Sequence, residues 1–331
     1  MPKDRLPEVR IVESKHFELN SLARGVYACI HKPGGAAHSN AGIIDLGDRT
    51  LLVDAFNTLA AGRDLRQTAE ALFERPVETI VLTHAHSDHW IGASAFEAGT
   101  TLLATNTIRQ VCLEWGAEIM AGFQNPAAWE EALRQAQAQL QTEQDERVRV
   151  GLQNSISRTQ YVLAEMADFQ PRYADQTFEG TVTFHGTKRS AELRSFGRGH
   201  SEDDAVLLLP QDGIAFIGDI GFFDTQPFWG FCDIDLYREQ LLSFRDSDFQ
   251  VLVPGHGPAG GKEDVALQLQ YSDLMADLVG NVVQRGGSLE EAMQIPLPEP
   301  FDKWLMGGMA RFEVNVRYLF AHFGGQVLEE A

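Results

Sequence analysis

The sequence predicts an α/β fold. Two observations carry that prediction: short Val/Ile-rich runs bounded by Gly, Asp, Asn or Pro, and helical sequence alternating with them, both textures recurring in the two halves of the chain. In the first hundred residues the runs are VYACI (26–30), AGIIDL (41–46), TLLVDAF (50–56) and ETIVLT (78–83), all of strand length. Between the last two, DLRQTAEALFERP sets Leu65, Ala69, Leu72 and Phe73 at helical spacing, and Pro76 ends the pattern. From Asn106 to about Asp168 the texture turns Ala/Gln/Glu/Arg-rich (WEEALRQAQAQLQTEQDERVRVGLQ) and loses its strand signals. This predicts a helical insertion over 106–170, serving as a lid or as a dimer face. Strand runs return at TVTFHG (181–186), AELRSFG (191–197), DAVLLLP (204–210), GIAFIGD (213–219) and FQVLVPG (249–255), with a helix at 235–245. Beyond Gly261 come DVALQLQYSDLMADLVGNVVQRGG, SLEEAMQI, a Pro-rich link (PLPEP) and MARFEVNVRYLFAHFGG, a helical extension over 262–331 of one domain spanning 1–331.

Composition narrows the function. A chain of 331 residues with 44% hydrophobic content can bury a full core without covalent staples. Its 47 acidic side chains against 27 basic ones leave a formal charge of −20, which repels a phosphate backbone. A small-molecule substrate is expected, and no nucleic acid. Cys29, Cys112 and Cys232 are odd in number and lack CxxC spacing, which fits buried thiols in a reducing compartment. The N-terminus, MPKDRLPEVRIVESK, is charged, and nowhere do roughly 18 uncharged apolar residues run together. The expectation is a cytoplasmic protein with no membrane partner.

One segment dominates the chemistry. His84, His86, Asp88 and His89 follow the apolar run IVL in the spacing HxHxDH, just before GASAF, where a helix can start. Three imidazoles and a carboxylate on a strand-to-helix loop can converge on one point, and they suit zinc, iron or manganese. Three later strand ends add Gly199-His200, Gly218-Asp219 and Pro254-Gly255-His256-Gly257. Seven ligands exceed what one tetrahedral ion takes and suit two.

The ordered set HxHxDH, His, Asp, His resembles the metallo-β-lactamase superfamily over roughly residues 20–105 and 178–260. The resemblance implies an αββα sandwich of two mixed sheets with helices outside. It also implies that His84, His86 and His200 bind one metal, that Asp88, His89 and His256 bind the other, and that Asp219 bridges two zinc ions. Two ions about 3.5–4 Å apart bring a shared water to a pKa near 7, giving a bridging hydroxide nucleophile. Asp88 would hold that hydroxide and pass a proton to the leaving group. Asp54 and Asp204 are carboxylates that could accept the free N–H of a ligand histidine, their plainer reading being turn or cap residues.

Departures from the family pattern sort its branches. Antibiotic-hydrolysing members generally carry Cys or Ser where Asp219 stands, and the diiron branch carries Glu where His86 stands. Glyoxalase-II-like thioesterases use a basic C-terminal region, and here the tail offers Lys303, Arg311 and Arg317. Trp90 and the aromatic stretch GFFDTQPFWGF (221–231), with Phe222, Phe223, Phe228 and Trp229, supply either an apolar substrate wall or core packing. The expected activity is hydrolysis of a small ester, lactone or related bond. Thioesterase, phosphodiesterase and β-lactamase activity on the same site are the alternatives, and a metal-stabilised binding protein is the non-enzymatic one.

Overall fold

The computed structural model describes residues 13–304 and 310–325; most of the charged N-terminal stretch, and Met309 at the head of the last helical run, lie outside the described residues. Among the described residues, twelve strands form two sheets. The first runs in the order β1 (Phe17–Ala23), β2 (Val26–His31), β3 (Ala41–Asp45), β4 (Thr50–Val53), β5 (Thr79–Val81), β6 (Thr101–Thr105) and β7 (Gln176–Phe178). It is antiparallel as far as β4 and parallel from β4 to β7. The second lines up β8 (Thr181–His185), β9 (Ser190–Gly197), β10 (Asp204–Leu209), β11 (Ile214–Phe222) and β12 (Val251–His256), antiparallel except for the pair β11 and β12.

Parallel neighbours need crossovers. Helix α1 (Leu59–Phe73) supplies the one between β4 and β5. It starts at Leu59, earlier than the apolar spacing suggests, because the Thr58 side chain caps Ala61 N at 3.2 Å. The short α2 (Ser87–Trp90) follows β5. Helices α3 (Asn106–Gly122), α4 (Pro126–Thr142) and α5 (Glu146–Glu165) fill the chain between β6 and β7, and α4 has no buried residue. Helix α6 (Ile234–Arg245) joins β11 to β12, and α7 (Lys262–Gln284), α8 (Leu289–Met293) and α9 (Ala310–His322) follow. No helix among the described residues is long and apolar enough to cross a membrane.

The alternation of the strands divides the core in two. Leu207, Leu209, Ile214 and Phe216 face the first sheet and pack with Ile43, Leu52 and Ile80. Val206, Leu208, Ala215 and Ile217 face outward under Tyr237, Leu241, Val265 and Leu269 of α6 and α7. Gly42 lets the sheets approach, since a Cβ there would come 2.5 Å from Phe216. Strands β1, β6 and β7 carry no clear apolar pattern in sequence. The first and last are half-polar edges, and β6 is five residues recognisable only beside its neighbours.

Candidate metal centre

The end of β5 and the start of α2 are pinned from both sheets. Asp54 N donates to Val81 O at 2.9 Å, and Ala205 N of the second sheet donates to Thr83 O at 2.7 Å. These bonds carry His84 to the place where the β9–β10 loop brings His200. Asn40 ties the far side, its Nδ2 donating to Pro254 O at 2.9 Å and to Gly257 O at 2.7 Å, which fixes the loop that bears His256. Strand β11 loses register with β12 around Gly218, whose φ of +52° a β-carbon would disfavour and whose Cα faces Thr83. That irregularity aims Asp219 into the histidines. Gly255 is glycine because a β-carbon would run into Asp219 Oδ1.

The seven side chains form two groups: His84, His86, His200 and Asp219, then Asp88, His89 and His256, with ligand atoms within 4.8 Å of one another in each. Asp219 touches both. Its Oδ2 lies 3.3 Å from His200 Nε2 and 3.6 Å from His84 Nε2, while Oδ1 lies 3.2 Å from His89 Nε2 and Oδ2 is 3.3 Å from His256 Nε2. Asp88 Oδ2 stands 3.4 Å from His256 Nε2 and 3.9 Å from His89 Nε2.

Asp54 sets the tautomers. Its Oδ2 accepts from His89 Nδ1 and from Thr83 Oγ1, each at 2.7 Å, and its Oδ1 accepts from Thr83 N at 2.8 Å. Thr83 Oγ1 in turn lies 3.0 Å from His84 Nδ1 and accepts its proton. Both imidazoles therefore turn Nε2 to the cluster. Asp204 acts differently from the expectation. It accepts the backbone N–H of His200 at 2.7 Å, the Ser201 hydroxyl at 2.8 Å and Gln240 Nε2 at 3.1 Å, so it holds the loop while His200 Nδ1 has no partner.

The donor set fits metal ions. Buried His84 Nε2, His89 Nε2 and Asp219 Oδ1 have no hydrogen-bond partner, and His200 Nε2 faces His86 Nδ1 at 2.9 Å, two nitrogens that a shared cation would satisfy. Burial, with the neighbouring His89, holds His84 well below the usual imidazole range, and burial beside His200 brings His86 to about 3. Burial opposes ionisation of Asp88, but His89 and His256 outweigh it and bring the group to about 2. Burial likewise opposes a charge on His89, yet Asp219, Asp54 and Asp88 outweigh it and raise its pKa well above the ordinary value. Neutral imidazoles and ionised carboxylates are the ligating forms, and His89 holds a proton that a metal would displace.

The aromatic candidates separate. Trp90 is wholly buried, donates to Ala85 O at 2.8 Å and packs behind the motif loop, because its indole N–H finds its acceptor there. Trp229 is buried against Tyr271, and Phe223 belongs to the core under α7. Phe222 is buried too, stacked on His256 at 5.0 Å as a backing plate. Phe228 reaches the front, 5.9 Å from His86, with Phe231, which is 47% exposed, and Trp115 of α3 stacked on His86 at 5.3 Å. Trp115 carries no local signal in sequence, and Thr83 is signalled only by its place before His84.

Residues 34–256 match the family model of the metallo-beta-lactamase superfamily. Among solved structures, a metallo-beta-lactamase from Hirschia baltica is 19% identical, with a TM-score of 0.54 over 78% of this chain and 98% of that one. A metallo-beta-lactamase from Pseudomonas aeruginosa in its mono-zinc form is 18% identical, with a TM-score of 0.53 over 78% of this chain and 95% of that one. One from Erythrobacter litoralis is 18% identical, with a TM-score of 0.55 over 80% and 99%. These likenesses concern the fold. No curated protein matches by sequence.

Proposed function

The chain belongs to the metallo-beta-lactamase superfamily, and from that premise we propose that it is a di-zinc hydrolase of a small ester or lactone. The observation that carries this reading is Asp219 standing between two complete ligand groups. His84, His86 and His200 would hold one ion, Asp88, His89 and His256 the other, and Asp219 both. When bound, two such ions acidify a shared water and polarise the substrate oxygen.

The remaining steps belong to the chain. Asp88 is the most accessible of the acidic ligands, its side chain 20% exposed, and the Ser39 hydroxyl donates to its carbonyl at 2.5 Å. One Asp88 oxygen would ligate while the other takes a proton from the water as its oxygen bonds to the acyl carbon, and hands that proton to the departing oxygen as the acyl C–O bond breaks. Trp115, Phe228 and Phe231 flank His86 and would receive an apolar part of the substrate, so α3 and the 228–231 loop act as a wall of the site. Asp219 in place of Cys or Ser turns the reading away from penicillins. The three cysteines are buried and unpaired, which suits a reducing cytoplasm.

The test is a panel of lactone, aryl ester, thioester, phosphodiester, sulfate and β-lactam substrates against protein of measured metal content. Esters or lactones are expected to lead. Phosphodiester turnover at least about ten times more efficient than any ester or lactone would overturn the bond assignment, and no turnover at all would favour a binding protein.

A further inference from the structure

Helices α7, α8 and α9 lie past residue 256, where the match to the family model ends. The last of them nevertheless grips the loop that leaves β11 after Asp219. Among the described residues, three of the four hydrogen bonds to the backbone of 226–229 come from two side chains of α9. Arg311 Nη1 donates to Gln226 O at 3.0 Å, Asn315 Nδ2 donates to Pro227 O at 2.7 Å, and Asn315 Oδ1 accepts from Trp229 N at 2.9 Å. The fourth is a turn within the loop, Cys232 N donating to Trp229 O at 3.1 Å. The polar side chains of 226–229 add none, since both amide atoms of Gln226 and the indole nitrogen of Trp229 are enclosed without a hydrogen-bond partner.

Asn315 takes hold of the two peptide groups that flank one residue. A carboxamide carries an acceptor oxygen beside its N–H donors, so it can close on a C=O and on the N–H two residues later. Those two groups belong to the peptide planes joined at the Phe228 Cα, and fixing both planes fixes φ and ψ there and with them the direction of the side chain. Asn315 is wholly buried, so water does not compete for either bond. Trp229, next along, is buried against Tyr271 with ring centroids 5.7 Å apart. Phe228 faces the ligand cluster instead, its ring 5.9 Å from that of His86 and 6.0 Å from that of Phe231. Phe231 in turn lies 5.6 Å from His86 and 5.3 Å from Trp115.

The Phe228 ring lies across Gly230, where a β-carbon would come 2.5 Å from its Cζ. The glycine makes room for the ring and offers no side chain to lock it. Its orientation therefore rests on the backbone at 228, and that backbone rests on Asn315. One wall of the site hangs from a helix that supplies no ligand.

We propose that Asn315 is the positioning residue for Phe228 and, through it, sets a preference of the site for substrates with a flat aryl flank. The preference rests on the hydrolase reading; the hold on Phe228 does not. With the amide in place the ring is a preformed face, and without it the substrate must order the loop as it binds.

The test incorporates 4-fluorophenylalanine at position 228 of the full-length, metal-loaded protein and reads its fluorine resonance. Wild type is compared with Asn315→Leu, Asn315→Asp and Val316→Ala at equal metal content. Asn315→Leu makes neither hydrogen bond at similar volume, while Asn315→Asp keeps the acceptor for Trp229 N and loses the donor to Pro227 O. Val316 is buried in the core beneath α9, so Val316→Ala loosens the helix and leaves the loop bonds alone. Wild type and Val316→Ala are expected to give one shifted resonance, Asn315→Leu a resonance moved toward that of the free amino acid, and Asn315→Asp one between. Kinetics read the consequence. The kcat/KM of the better of ethyl phenylacetate and benzyl acetate, divided by that of ethyl acetate, should fall about tenfold in Asn315→Leu, through KM, and hold in Val316→Ala. Should Asn315→Leu fail to fold, Asn315→Asp decides by the same two readings. A fluorine resonance unmoved in the Asn315 variants would overturn the proposal. So would an aryl preference that is absent in wild type, unchanged in those variants, or lost equally in Val316→Ala. Turnover of none of the three esters by wild type would defeat the hydrolase reading, and the fluorine resonance alone would then decide the hold on Phe228.

Discussion

Asp54→Asn is the sharpest single perturbation of the centre. The carboxylate accepts three hydrogen bonds, from Thr83 N on one oxygen and from Thr83 Oγ1 and His89 Nδ1 on the other. An amide has one acceptor oxygen and an NH₂ group, so whichever way it is turned a donor meets a donor. Facing the NH₂ toward Thr83 N strands one buried N–H, at about 1–3 kcal/mol; the other orientation releases His89 and the Thr83 hydroxyl together. Supporting partners of this kind are worth roughly 10–100-fold in metal affinity. Asp54 supports one imidazole in each group, His89 directly and His84 through Thr83, so both ions should weaken, the His89 group by about 100-fold and the His84 group by about 10-fold. Competition against a chromophoric zinc chelator, with metal content by mass spectrometry, reads the two affinities. Thr83→Val breaks only the relay and should spare the His89 group. An Asp54→Asn protein that stays folded and binds both ions as tightly as wild type would refute the tautomer argument.

Three further outcomes are expected. Asp88→Ala should lose about 100-fold or more in turnover at restored metal content, since in the proposed mechanism it moves protons as well as ligating; unchanged kcat at full occupancy would contradict that role. Because the raised pKa of His89 keeps a proton on the ring until metal arrives, loading its group should release that proton, and affinity should rise with pH, by about tenfold per unit while the ring remains protonated. Calorimetry in buffers of different ionisation enthalpy counts the proton. Trp115→Ala should raise KM for aryl esters more than it lowers kcat, as steady-state kinetics would show, if the indole stacked on His86 lends the substrate binding shared by ground and transition states.

Some of the molecule is legible in the chain and some is not, for physical reasons. The strands flanking the motif loops declare themselves because they are buried on both faces and read as continuous apolar runs, as in β10 and β11. The ligands of the motif are neighbours in sequence, and His200, Asp219 and His256 are announced by glycines at strand ends. Asp54 is visible as the residue closing TLLVD, although the hydroxyl relay through Thr83 is not. Trp115 sits on α3 of a helical segment whose last helix, α5, docks through distant partners, Gly34 for Asn154 and Leu59 for Glu165, and no local pattern encodes those pairings. The aromatics of 221–231 look alike in sequence, and only packing against α7 or exposure beside His86 tells Phe223 from Phe231.

The ligands hang from both sheets: His84, His86, Asp88 and His89 from the end of β5, and His200, Asp219 and His256 from the strands opposite. An ion held there is a cross-link between two layers in a protein whose cysteines are all unpaired. Unlike a disulfide, it forms and breaks with the free metal concentration; an ion in the first group would close the chain from His84 to Asp219 and one in the second from Asp88 to His256, holding the layers together while bound. At free zinc about a hundredfold above its dissociation constant, each such ion adds roughly 2.7 kcal/mol against unfolding. If the protein is the di-zinc hydrolase proposed, withdrawing zinc shortens its lifetime as well as silencing it, and abundance follows metal supply.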